Sequence, residues 1–238
     1  MIYIRVADLN IKIDNRYGYL DRHCADYMID ATDDVDISVS VTEEEIDGEI
    51  AISDVRVSRG YAESICAYRT ICEQLPQRFN GFLLHGALLE YGGKGYIFSA
   101  RSGTGKTTHI NLWKEAFGDA VTVVNGDKPI LRETEDGFIA YGTPWCGKEG
   151  YSNNSSVLLS SICFVERAET NSIERISPSD AVSRIFSQIL MPNDVEAFDA
   201  VSSLLDSLLT RVPSYLLKCN MSVDAAVVAY NGMNQKKG

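Results

Sequence analysis

Residues 96–108, Tyr-Ile-Phe-Ser-Ala-Arg-Ser-Gly-Thr-Gly-Lys-Thr-Thr, read as a strand, a tight glycine loop and a helix start with nothing between them. Close glycines let successive backbone N–H groups turn toward one anion, a lysine after them reaches the outer phosphates, and the next hydroxyl can ligate magnesium. Ser102, Gly103, Thr104, Gly105, Lys106, Thr107 and Thr108 are therefore expected to hold the phosphates of ATP, with Thr107 on its Mg2+. The usual pattern is G-x-x-x-x-G-K-[ST], and Ala100 takes the place of its first glycine. A glycine turn before a surface helix is the structural alternative. The flanks argue against it: Tyr96–Phe98 is apolar like a buried strand, and Ile110, Leu112, Trp113 and Phe117 follow at helical spacing before Gly118.

Charge narrows the partners. The chain has 22 Lys and Arg against 33 Asp and Glu, a net charge of −11, which would repel a nucleic-acid backbone. No apolar run approaches the roughly 18 residues needed to cross a bilayer, and residues 1–6 lack signal-peptide architecture, so a soluble cytoplasmic protein is expected. The six cysteines are scattered without a C-x-x-C pair, which disfavours zinc and disulfide frameworks.

Along the chain, Ile2/Ile4/Val6, Leu9/Ile11/Ile13, Val35/Ile37/Val39/Val41 and Val55/Val57 alternate as half-buried strands and predict an antiparallel β layer. The carboxylates at 33–36 and 43–49 lack calcium-loop spacing and suit solvated turns. A helix is expected over Tyr61–Leu75, stopped by Pro76. Phe82–Tyr91 and Gly95–Ser99 read as two strands joined by Gly92-Gly93. Ala120–Asn125 then completes a β-α-β unit and should lie beside the strand that enters the glycine loop, with Asp127 at its carboxyl end placed to hold Mg2+. Lys128–Arg132 and Phe138–Tyr141 form a hairpin, Ile162–Glu166 is another strand, and three helices close the chain, beginning near Ser177-Pro178, Asp194 and Ser222. The loop Gly142–Gly150 has two readings: a surface turn whose Trp145 plugs the core, or an acceptor-side loop in which Lys148 supplies positive charge.

Taken together, the hairpin, glycine loop and following aspartate resemble the HPr kinase/phosphorylase and phosphoenolpyruvate carboxykinase superfamily. His85-Gly86 matches the His-Gly pair that opens the hairpin in HPr kinases, and Ser102–Thr107 is worded like the carboxykinase loop. The resemblance covers roughly residues 82 to 165. It implies an α/β, P-loop nucleotide-binding core over residues 81–238, with an N-terminal β-rich region (1–80, one helix) and C-terminal helices. Two features depart from the family: Gly126 stands where the first of its two acidic residues would be, and no segment resembles the one that grips the HPr protein.

The resemblance further implies a kinase moving the γ-phosphoryl group of ATP to a hydroxyl of a protein, peptide or small molecule, serine being the natural acceptor. His85, Lys106, Asp127 and Lys148 are its candidate catalytic residues, and Thr107 and Asp127 its metal ligands. His85 is alternatively a satisfied core histidine. Two other functions remain open: a nucleotide-binding regulator with little turnover, and a carboxykinase of a small acid. Whether the chain forms a homo-oligomer stays open.

Overall fold

The computed structural model describes residues 1–100, 105–191 and 194–235. Ser102, Gly103 and Thr104 of the expected phosphate loop thus lie outside the described residues.

β1 (Ile2–Val6) and β2 (Leu9–Asp14) form an antiparallel hairpin through Ala7 and Asp8, both at positive φ, and their alternate apolar residues are buried. After the short α1 (Tyr19–His23), β3 (Ile37–Ser40) joins β2 in parallel, so the layer is mixed and not antiparallel. Val55 and Val57 lie outside any strand. The acidic run assigned to turns is instead α2 (Glu43–Ala51). Thr42 Oγ1 accepts from Glu45 N at 3.2 Å while Glu45 Oε2 accepts from Thr42 N at 2.7 Å. That capping box, with carboxylates Glu43, Glu44 and Glu45 in the positive first turn, explains why acidic residues favour a helix here.

α3 (Arg59–Phe79) runs through Pro76 and does not stop there as expected. A proline there withdraws one N–H from the ladder, and the helix continues to Asn80, which stops it in the left-handed region with its N–H on Leu75 O. Residues 1–80 therefore hold three helices, not one.

The remaining elements are β4 (Gly81–Leu83), β5 (Ala87–Tyr91), β6 (Lys94–Ser99), α4 (Lys106–Phe117), β7 (Val121–Asn125), β8 (Ile130–Thr134), β9 (Gly137–Tyr141), β10 (Ser156–Arg167), β11 (Ser172–Ile176), α5 (Pro178–Ile185), α6 (Val195–Arg211), β12 (Ser214–Cys219) and α7 (Asp224–Asn234). β11 and β12 are not among the expected strands, and β12 falls between the helix expected to end at Leu209 and the one expected to begin near Ser222. The strands form one sheet in the order β4-β8-β9-β10-β6-β5-β7, with β12 parallel to β10 and β11 antiparallel to β12. β7 does not lie beside β6 as expected. The hairpin partner β5 already occupies that side of β6, and β7 pairs with β5.

β4 and β5 sit far apart in this order yet are joined by only residues 84–86, so the sheet must curl until its ends meet. Leu83 opposes Ile130, Leu84 N donates to Pro129 O, Gly86 N donates to Asp127 O, and Leu88 opposes Asn125. The register never slips between these pairs. β4–β5 and β7–β8 are thus one antiparallel ribbon passing between two halves of the sheet, and its middle carries His85 and Asp127.

Alternate residues of β10 serve two cores. Ile162 and Phe164 face α5 and α6, while Cys163 and Val165 face α4 and α7 together with Tyr96, Phe98 and Trp113. A strand buried on both faces reads as a continuous apolar run. Among the described residues, no helix is long and apolar enough to cross a membrane.

Candidate functional site

α4 opens at Lys106 behind Gly105, whose φ of 121° would strain any side chain. Among the described residues no side chain caps this end and its first turn holds no acid, so its N–H groups and the positive end of the helix dipole suit an anion. Thr107, in that turn, is half-buried and Thr108 exposed.

The ribbon delivers the opposite wall. Asn125, fully buried at the end of β7, accepts the N–H groups of both Asp127 (2.9 Å) and Lys128 (2.6 Å) on Oδ1. Its amide nitrogen donates to Thr143 O at 2.9 Å. This side-chain turn fixes the two residues that follow. Ser99 Oγ donates to His85 O at 3.0 Å, tying the end of β6 to the crossing strand.

His85, Lys106 and Asp127, named from sequence, converge. His85 Nε2 lies 3.0 Å from Lys106 Nζ and 3.0 Å from Asp127 Oδ1, while Lys128 Nζ lies 3.2 Å from Asp127 Oδ2. On the far side of the ring, Nδ1 is 2.9 Å from Gln188 Oε1. Since Gln188 Nε2 donates to Ser187 Oγ (3.0 Å), Oε1 is the acceptor and Nδ1 carries a proton. In the neutral ring Nε2 accepts from Lys106; with a second proton it donates to Asp127. Burial alone would raise the Asp127 carboxyl, but the hydrogen bond from His85 and the charges of Lys128 and His85 outweigh it and hold the pKa at about 2. Burial pushes the Lys106 ammonium down, with Asp127 opposing and Lys128 adding to the effect.

Lys128 and Gln188 were not anticipated. Asn125-Gly126 was a legible turn signal that could have drawn Lys128 into view, whereas Gln188 arrives from a 3-10 turn after α5 and has no local signature.

The loop after β9 follows the core reading at Trp145, which is 3% exposed, donates Nε1–H to Ser64 Oγ at 3.1 Å and packs on Tyr68. The backbone of this loop reaches the site, since a Cβ on Gly147 would sit 3.3 Å from Asp127 Cβ. Lys148 itself is exposed, and the structure does not join it to His85, Lys106 or Asp127. Gly126 donates to Tyr151 O, and a Cβ there would lie 3.1 Å from both Cys146 O and Tyr151 Cβ. The loop occupies the space a second carboxylate would need.

No group of three His, Cys, Asp or Glu able to hold a metal occurs among the described residues. Magnesium bound with a nucleotide takes one or two carboxylates plus phosphates and water, so the ionised Asp127 and the hydroxyl of Thr107 are donors of the right kind.

No protein-family model matches the chain, and no curated protein does. Among solved structures, the HPr(Ser) kinase/phosphatase from Coxiella burnetii is similar to it at 11% identity and a TM-score of 0.37, covering 63% of this chain and 88% of that one. The chain is a mixed α/β protein with a curled sheet, and a likeness of that degree assigns it neither a family nor an activity.

Proposed function

We propose that this chain is an ATP-dependent phosphotransferase delivering the γ-phosphoryl group to a hydroxyl, with serine in a protein or peptide as the acceptor class. The observation that carries this reading is the cluster at the head of α4 in which His85 and Lys128 contact a single carboxylate, Asp127, and Lys106 contacts His85. Two ammonium groups and an imidazole against one carboxylate make a locally cationic point on a chain of net charge −11. Such a point suits a polyphosphate.

Phosphoryl transfer asks mainly for positioning and charge. Lys106 moves from His85 to the phosphates, which frees the Nε2 lone pair. The acceptor oxygen then bonds to the γ-phosphorus as the bond to the β-phosphate oxygen breaks, and the hydroxyl proton passes to Nε2, beside Asp127. Magnesium, held by Thr107 and Asp127 with the phosphates, would neutralise charge on the transferred group.

Lys106→Ala tests the reading by calorimetry: ATP affinity should fall at least tenfold while the far-ultraviolet spectrum stays unchanged. Wild-type affinity in that variant would remove the phosphate-loop assignment. A second reading, a nucleotide-binding regulator with little turnover, is favoured by Gly126 and the loop packed over it. Transfer to candidate peptides at less than a few turnovers per hour, with tight ATP binding, would select it.

A further inference from the structure

α5 and α6 leave between them a groove of about 400 Å³ that the site above does not use. Val182, Ile185 and Phe186 form one wall, and Leu205, Asp206 and Leu209 of α6 form the other. Ile185, Leu205 and Leu209 belong to the core beneath, whereas Val182 (48% exposed) and Phe186 (44%) stand open at the rim. Phe198, at the start of α6, meets Phe186 edge-on with ring centroids 6.5 Å apart and is itself 40% exposed. Contiguous apolar surface, unlike apolar residues scattered singly, marks an interaction face.

Charge narrows what that face would take. Residues 178–211 hold five carboxylates and two arginines, and both arginines are engaged, Arg184 with Glu166 and Arg211 with Glu133. Asp194 caps α6 through Ala197 N, and Asp180 accepts from the hydroxyl of Ser177. Glu196, Asp199 and Asp206 are exposed and pair with no cation among the described residues. Asp199 and Asp206 lie two turns apart on one stripe of α6, and Asp206 lines the groove. An anionic membrane, or a second copy of this face, would meet these carboxylates with like charge. A basic amphipathic helix meets them with opposite charge and lays its apolar side on the rim.

The groove also runs toward the site. Its Phe186 end is two residues from Gln188, whose backbone carbonyl accepts the His85 N–H at 2.7 Å, and Ile189 bridges to Leu84. The His85 side chain is 30% exposed, so it can be reached from outside.

We infer that the α5–α6 groove docks a basic amphipathic helix of the phosphoryl acceptor, with the serine about three extended residues beyond that helix, the span from Phe186 to His85 at strand spacing. This rests on the phosphotransferase reading proposed above. The helix supplies affinity, and the short connection delivers the hydroxyl to His85 Nε2.

The test uses a labelled synthetic peptide whose helix carries Leu and Phe at i, i+3, i+4 and i+7 with lysine on both flanks, followed by Gly-Gly-Ser, and a copy with every lysine changed to glutamate. Fluorescence anisotropy without nucleotide reads docking alone, and transfer of labelled phosphate from ATP reads the reaction. The wild type should bind the basic peptide and not the acidic copy. Two pairs of exposed changes, Val182→Gln with Phe198→Gln and Asp199→Asn with Asp206→Asn, should each weaken binding at least tenfold. They should raise KM for the peptide by a similar factor while leaving kcat, and transfer to a short serine peptide without the helix, unchanged. Asp33→Asn with Asp34→Asn removes the same charge from the N-terminal region and should change nothing. The inference is overturned if the basic peptide does not bind, if the acidic copy binds equally well, if the groove pairs keep full affinity, if the Asp33 and Asp34 pair weakens binding as much as the Asp199 and Asp206 pair, or if KM does not follow affinity. A dimer in sedimentation that Val182→Gln with Phe198→Gln dissolves would give the face to a second copy and overturn it too. Groove-dependent binding with no phosphate reaching any serine would instead strike the phosphotransferase reading and leave the docking face standing.

Discussion

Gln188 holds His85 at two points: its backbone carbonyl takes the His85 N–H at 2.7 Å, and its side-chain oxygen lies 2.9 Å from Nδ1. The first bond fixes the strand and the second fixes the ring. Gln188→Leu keeps the first and removes the second. Phosphoryl transfer should fall by about ten- to a hundredfold through ring misplacement, with ATP affinity unchanged. Steady-state kinetics against pH checks this, because the variant's profile should also shift, whereas a purely structural loss would scale the whole curve down.

Asp127 makes stability depend on pH in a defined window. Its carboxyl drops from 3.8 to about 2 on folding, so its stabilisation is fully present above about pH 4 and is lost as pH falls through about 2. The contribution at neutral pH is about 2 kcal/mol. Urea unfolding of wild type and Asp127→Asn should differ by that order at pH 7 and converge near pH 2. A difference that stayed constant over this range would mean the carboxylate is not held by the neighbouring cations.

Gly126 offers a test of the missing acid. Its backbone is not in the left-handed region, so space alone limits substitution there. Gly126→Ala should cost about 1–3 kcal/mol by crowding Cys146 O and Tyr151. Gly126→Asp should cost at least as much and should not raise transfer. A thermal melt unchanged by alanine would show that residues 142–151 yield easily, and the aspartate variant would then deserve an activity assay.

Trp145 joins the loop after β9 to the core beneath the N-terminal sheet. Trp145→Ala should cost about 3–5 kcal/mol. Ser64→Ala should cost about 1–3 kcal/mol, since it leaves the buried indole N–H unpaired. Both values come from chemical denaturation, and a near-neutral Trp145→Ala would return this loop to the surface.

The wall bearing His85, Lys106 and Asp127 was legible because each lies beside a strong local signal: a glycine pair, a hairpin, a strand end. Lys148 was a different case, since a lysine among glycines carries no information about the direction its side chain takes. Pro76 and the acidic run 43–49 misled for a shared reason. Residue preference was read without position, although Thr42 and Glu45 form a capping box and Asn80-Gly81 already marks the helix end. β12 is not legible because Ser214–Cys219 lacks a clear alternation, and its strand character comes from pairing with β10 more than from its own residues.

The turn Gly92-Gly93, with both residues at positive φ as the tightest hairpin turns require, sets Ala87 opposite Phe98 and Tyr91 opposite Lys94. His85 and Gly86 immediately precede this strand, about 20 Å from the turn at strand spacing. An exposed glycine turn is ordinarily where a chain tolerates insertions. Here one added residue that shifted the pairing of β5 with β6 would carry His85, together with Asp127 in the ribbon, out of register with the strand that leads to Lys106. The length of this distant turn is therefore as tightly constrained as the site itself, and homologous chains should vary freely in its side chains but not in its number of residues.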